Sequence, residues 1–314
     1  MLSAPYFTDI AEGPADGQAH WVKTADGLNI RVANWGQGAQ TPLKGTILMF
    51  PGRTEYIEKY GPAAVDFLQR GYASVAIDWR GQGLADRTTD NPLLGDVVDF
   101  TDYQKDVAAL MAHVAALKLP KPYFLMAHSM GGCIGLRALT EGLDVKAAAF
   151  SAPMWGIQMA APMRPIAWAI SSLSRRLGFD QSLAPGQTTQ GYVARVSFAE
   201  NTLTSDPDMF AFFQRQLEAH PEMELGGPTL RWLNESLREM AHLSTLPAPL
   251  LPCVTALGSD EAIVDSNAIR ERMGQWGDGV LQLVENGRHE VLMEKPPMRK
   301  TVFDAATALF DKHR

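Results

Sequence analysis

The chain has two cysteines, no long apolar run and no block of one charge. Cys133 and Cys253 make no disulfide framework, and each sits among apolar residues as a small buried hydrophobe would. A reducing compartment, the cytoplasm, fits that usage. The longest uncharged stretch runs from Ala147 to Met163 and is interrupted by Ser151, Pro153, Gln158 and Pro162, so it is a poor candidate for crossing a bilayer. The opening MLSAPYFTDIAEGPADG has no basic start and no apolar centre, and is not read as a signal peptide. Net charge is −7, with no basic tract, which argues against nucleic acid as a partner. The same charge would not draw the chain to anionic lipid, so peripheral membrane contact would rest on apolar residues. No internal repeat is present.

What is present is ample material for a core: 314 residues, 46% hydrophobic and 20% charged. HWVKTADGLNIRVANW reads as two strands joined at Asp26-Gly27. Short apolar runs follow as buried strands: GTILMF, YASVAID, YFLMA, VKAAAF, LPCVTAL and VLQLVE. Helical patterns lie between them. One runs from Pro62 to Arg70 and stops at Gly71. One is expected to be capped by Thr101, with Val107, Leu110, Met111 and Val114 on its apolar face. Another spans about Met130 to Glu141, and a last one has Val302, Ala305, Ala306, Leu309 and Phe310 on its apolar face. Strands alternating with helices predict a mostly parallel sheet covered on both faces, with the N-terminal hairpin as an antiparallel edge. The alternation lapses between about Met154 and Leu246, where helical runs rich in Met and aromatics replace the strand signal.

Ser129 follows the strand YFLMA and opens a helix, at the carboxyl end of a predicted parallel strand, where such sheets place their chemistry. Ala127-His128-Ser129-Met130-Gly131 is close to G-x-S-x-G, the sharp turn that holds a serine hydroxyl clear of the backbone. The alternative is a serine that merely caps a helix. A serine nucleophile needs a histidine base and a carboxylate to orient it, in the chain order serine, acid, histidine. Of seven histidines, His289 in VENGRHEVLME follows the last strand and a glycine turn, and can reach the serine. The acid is expected after LPCVTAL, in GSDEAIVD, where Asp260, Glu261 and Asp265 are candidates and the residues alone do not choose between Asp260 and Glu261. The oxyanion needs fixed N–H donors. The backbone of Met130 is one, and the Gly52-Arg53 loop supplies the other. The Arg53 side chain is either a surface ion-pairing group or one that meets a polar head group.

Together these residues resemble the α/β-hydrolase fold, and more narrowly the monoacylglycerol lipase and bacterial lysophospholipase group. The blocks that carry the resemblance are FPGRTEYIEKYG, AIDWRGQGLAD, LMAHSMGG with SAPM, and GSDEAIVD with NGRHEVLMEK. The resemblance implies a catalytic triad of Ser129, an acid and His289. In the register of the acid turn Glu261 takes the usual aspartate's place, and Asp260 is the rival. It implies oxyanion donors at the Arg53 and Met130 N–H groups. The lapse in alternation is read as an inserted helical cap, residues 154–246, set into a core formed by residues 1–153 and 247–314, and the cap's apolar residues suit an acyl chain. The activity implied is release of a fatty acid from a lysophospholipid or monoacylglycerol through an acyl-enzyme. A small-ester esterase, an acyltransferase or a carbon–carbon bond hydrolase could use the same residues, and a non-catalytic binding protein is the remaining alternative. No metal or organic cofactor is implied.

Overall fold

The computed structural model describes residues 1–314 and is organised around one nine-stranded sheet in the order β1-β2-β3-β5-β4-β6-β7-β8-β9. The strands are β1 (Leu2–Ser3), β2 (Gln18–Lys23), β3 (Asn29–Trp35), β4 (Thr46–Phe50), β5 (Ala73–Asp78), β6 (Tyr123–His128), β7 (Ala148–Ser151), β8 (Cys253–Gly258) and β9 (Gly279–Val284). From β5 to β9 the sheet is parallel, and β1, β2 and β3 form its antiparallel edge. The β2–β3 turn falls at Gly27, whose φ of +91° suits a residue without Cβ. β4, β5 and β6 are buried at every position, as expected of strands covered on both faces, and carry no alternation.

The helices are α1 (Thr8–Ala11), α2 (Gly61–Gln69), α3 (Tyr103–Ala116), α4 (Ser129–Thr140), α5 (Met163–Leu177), α6 (Tyr192–Arg195), α7 (Pro207–Ala219), α8 (Leu230–Thr245), α9 (Ser266–Gly274) and α10 (Pro296–Lys312). Thr101 does not cap α3. Asp99 caps the 3-10 turn before it, accepting from the Thr101 N–H at 2.9 Å, and the Thr101 hydroxyl donates to the same carboxylate at 2.7 Å. A carboxylate two residues upstream has therefore taken the hydroxyl that would have capped.

The two faces of the sheet bury separate cores. Leu125, Ile134, Phe150 and Trp276 belong to one, and Phe124, Met126, Phe303 and Phe310 to the other. Between β7 and β8 the chain forms helices and turns and no sheet strand. That segment does not gather a core of its own. Trp232, Leu237 and Met240 of α8 join the first cluster, while Met209, Phe210, Phe212 and Phe213 of α7 join the second. α5 and α8 pair with each other, and Asn234 of α8 donates to Ser171 and Ser172 of α5 at 3.0 Å each. No helix is long and apolar enough to cross a membrane.

The AIDWRGQGLAD block is a structural knot. Asp78 accepts from Arg31 and from the Ile57 and Leu84 N–H groups, and Arg80 is held by Asp106 and Asp26.

Candidate active site

β6 ends at His128 and α4 begins at Ser129, so the chain reverses direction within a residue. Ser129 takes φ +48°, a left-handed conformation costly for a residue with a Cβ. The turn survives because its neighbours are small. A Cβ on Gly131 would strike the Phe50 and Pro51 carbonyls, and one on Gly132 would strike Pro153.

His289 lies on the loop after β9, buried. The Ser129 hydroxyl donates to His289 Nε2 at 2.9 Å. On the other side of the ring, Nδ1–H donates to Glu261 Oε2 at 2.8 Å. The second Glu261 oxygen accepts from the Ile263 and Val264 N–H groups at 2.6 and 3.1 Å. Burial pushes this carboxyl up, but the His289 ring and those two N–H groups outweigh it and hold it below the ordinary carboxylate range. Glu261 is therefore an ionised, fixed orienter of the ring. Asp260 is exposed and accepts only from Ser259, at 3.2 Å. Asp265 is occupied elsewhere, capping α9 and pairing with Arg164.

Of the two expected oxyanion donors, Met130 directly follows Ser129 and Arg53 lines the same cavities as Ser129. Met130 is the second residue of α4, where the helix pattern leaves the N–H without a partner. The loop after β4 is pinned on every side of Arg53. The Gly52 N–H donates to Glu55, Gln82 donates to the Gly52 carbonyl at 2.8 Å and accepts from the Thr54 N–H at 3.3 Å, and Trp79 donates to the Pro51 carbonyl at 2.9 Å. The Arg53 N–H itself meets no acceptor in the protein.

Two sets of functional neighbours were not read from the sequence. The first is a buried charged cluster behind the serine. Lys59 donates to Glu55 at 2.5 Å and to Glu290 at 2.6 Å, Tyr60 donates to Glu55 at 2.7 Å, and His128 Nε2 lies 3.3 Å from Glu290. His128 Nδ1 faces the Ser151 carbonyl at 3.0 Å. An acceptor on each side favours a doubly protonated ring. Burial lowers the His128 pKa, but Glu290 and Glu55 outweigh it and raise it. Burial likewise pushes the Glu290 carboxyl up, and Lys59 and His128 pull it well below its usual range. The signal was the pairing of Glu55 with Lys59 one helical turn apart in EYIEKY, which by itself looks like an ordinary surface pair. The second set clasps the histidine loop. Arg288 donates to the carbonyls of Asn201 and Thr204 at 2.9 and 3.1 Å, and the Glu290 N–H donates to the Leu203 carbonyl at 2.7 Å. No local pattern marks such a long-range clasp.

Ser129 opens onto two cavities. One, about 260 Å³, is lined by Glu55, Lys59, Tyr192, Thr202, His289 and Glu290 among others. The other, about 550 Å³, lies under α5 and α8 and is lined by Met154, Met159, Ile166, Ala167, Ile170 and Trp232 among others. Arg53, Ser129 and Ile263 border both.

A hydroxyl, an imidazole and a carboxylate in line, at a turn beyond a parallel strand, define the α/β-hydrolase class, and the comparisons agree. The family model described as serine aminopeptidase, S33 matches residues 41–296, and the chain belongs to that family. Within it, the chain is 30% identical over 277 residues to lysophospholipase L2 of Escherichia coli, covering 85% of this chain and 80% of that protein. It is 28% identical over 265 residues to the probable lysophospholipase L2 of Haemophilus influenzae, covering 84% and 82%. Among solved structures, a soluble variant of monoglyceride lipase from Saccharomyces cerevisiae superposes with a TM-score of 0.73 at 21% identity, over 93% of this chain and 94% of that one, which supports the shared fold.

Proposed function

We propose that this chain is a serine-dependent carboxylic ester hydrolase that releases a fatty acid from a single-chain lipid, a lysophospholipid or a monoacylglycerol. The observation that carries the reading is the Ser129–His289–Glu261 hydrogen-bond chain at the edge of a large apolar cavity. Relatives named lysophospholipase and phospholipase support the lipid substrate.

The acyl chain lies in the apolar cavity, with the ester carbonyl over Ser129. His289 Nε2 takes the hydroxyl proton as Oγ attacks the carbonyl carbon. The Arg53 and Met130 N–H groups receive the oxyanion. Collapse breaks the ester C–O bond, and the proton on His289 passes to the leaving alkoxide. Water, deprotonated by His289, then attacks the acyl carbon, the acyl–Oγ bond breaks to free the fatty acid, and the proton on His289 returns to Ser129 Oγ. Glu261 stays ionised throughout and stabilises the imidazolium.

Residues 154–246 act as a cap. Met163, Ile166, Ile170, Leu173 and Leu177 form an exposed stripe on α5. The first three also line the apolar cavity, so the stripe is a route from a lipid surface to the serine. Peripheral contact with neutral lipid follows from this stripe, and co-sedimentation with phosphatidylcholine vesicles that weakens in Leu173→Glu tests it.

The deciding measurement compares wild type with Ser129→Ala on lysophosphatidylcholine, monopalmitoylglycerol and p-nitrophenyl butyrate. Ser129-dependent fatty acid release that favours a lipid supports the reading. Turnover of the short ester alone overturns the lipid part, and alcohol acceptors that capture the acyl group would identify a transferase.

A further inference from the structure

Besides the His128 ring, two cationic side chains line the polar cavity, Lys59 and Arg53. Their circumstances differ. Lys59 is held between Glu55 and Glu290 and stands over the Phe213 ring, so its charge is already answered. Arg53 has no carboxylate partner. Its single protein acceptor is the Gly226 carbonyl, 2.9 Å from Nη1, and its guanidinium stacks over the Trp232 ring, 5.6 Å from the centroid. Its Nε and Nη2 groups meet no protein acceptor. The guanidinium is half-buried beside the two cavities it lines, a cation whose counter-charge a bound ligand can supply. Burial pushes this guanidinium down to about 10, which still leaves it charged at neutral pH.

Its location narrows what that counter-charge is. Arg53 is the only charged residue lining the apolar cavity, and it borders both cavities beside Ser129. Further into the polar cavity Lys59 and His128 are already paired with Glu55 and Glu290, which leaves no unpaired cation there for an anion. An anionic group attached to the leaving alcohol therefore has one place to go. The Arg53 N–H serves the ester oxygen, and a similar number of bonds separates that N–H from the guanidinium as separates an acylglycerol ester from a phosphate on the same glycerol. A planar fork of N–H donors suits phosphate oxygens.

We propose that the Arg53 guanidinium is the specificity-determining group that receives the phosphodiester of a lysophospholipid, selecting it over an uncharged monoacylglycerol. This rests on the lipid-ester reading above. One residue then contributes its backbone to the acyl carbonyl and its side chain to the head group, which fixes the lipid's orientation across the serine.

The test measures kcat/KM for lysophosphatidylcholine and monoacylglycerol of equal chain length, in wild type, Arg53→Met and Arg53→Lys. The ratio of the two substrates within each variant cancels any shared loss from disturbing the oxyanion loop. The expected result is a ratio that falls about 10- to 100-fold in Arg53→Met, the range for losing a charge-assisted hydrogen bond, with partial recovery in Arg53→Lys. Binding of an ether-linked lysophosphatidylcholine and the matching alkylglycerol to Ser129→Ala, with and without Arg53→Met, reads the same preference without turnover. An unchanged ratio in both measurements overturns the proposal and leaves Arg53 as a clamp between the β4 loop and Trp232. A wild type that cleaves monoacylglycerol but not lysophospholipid overturns it too, while keeping the lipid-ester reading. A wild type that cleaves neither overturns both.

Discussion

The two cavities that meet at Ser129 are built by opposite means. The polar one is framed by side chains whose charges answer one another: Lys59 with Glu55 and Glu290, and Glu290 with His128. Its shape is therefore fixed by pairings that lose much if any member is removed. The apolar one is framed by the half-exposed residues of α5 and by α8, held together by packing and by Asn234 with Ser171 and Ser172. Dispersion contacts are many, weak and interchangeable, so that wall tolerates reshaping. A buried charge network specifies, and an apolar wall accommodates.

The largest effect comes from removing what the cavities share. Ser129→Ala is expected to lower kcat by at least about 10⁴-fold while lipid binding persists, measured by fatty acid release and by binding of an ether-linked analogue. Next is the orienter. Glu261→Gln should cost about 10² to 10⁴ in kcat, because a neutral amide no longer stabilises the imidazolium, whereas Asp260→Asn should stay within about twofold. Equal losses in the two variants would mean that the acid has been misassigned.

Breaking the polar wall is expected to register as stability. Glu290→Gln leaves Lys59 and His128 without a shared counter-charge and should cost about 3–5 kcal/mol in urea unfolding. The pH dependence has a definite sign. Glu290 titrates well below its usual 4.5 in the folded chain, so its contribution is present above that value and is lost as pH falls towards the folded pKa. His128 titrates above its usual 6.5, so its contribution is full below that value and is lost as pH rises through the raised one. The cluster therefore stabilises most between about pH 5 and 6, and Glu290→Gln should flatten the profile on both sides of that window. A profile unchanged by the substitution would remove the cluster from the account.

The mildest change reshapes the apolar wall. Ala167→Phe should shift preference towards shorter acyl chains with little change in melting temperature. Each methylene displaced is worth about 0.8 kcal/mol, or about fourfold in kcat/KM. A shift with medium-chain esters and none with acetyl esters would place the chain under α5, and no shift at any length would place it elsewhere.

Much of this was legible because it is local. Apolar runs ending at Pro51-Gly52 and at Ser129 identify buried strands with chemistry at their carboxyl ends, and small residues flank Ser129 because the turn admits nothing larger. His289 was singled out by the fixed order of such sites along the chain. Asp260 and Glu261 are adjacent, and no local rule separates them. Thr101 looked like a cap because hydroxyls cap helices, yet Asp99 took its hydroxyl. The charged cluster was invisible for a related reason: Glu55 and Lys59 read as a surface pair until Glu290, far along the chain, closes over them.

The sequence by itself determined eight of the nine strands, all but β1, with the sharp turn at Ser129 and the residue types of the site, since periodicity, turn chemistry and small neighbours are local properties. Tertiary structure alone decided that Glu261 and not Asp260 faces His289, that Lys59 is answered and Arg53 is not, and that the segment between β7 and β8 divides its residues between two cores. Each of those depends on which side chains meet across the sheet and on what burial does to a charge, and neither is set by sequence neighbours.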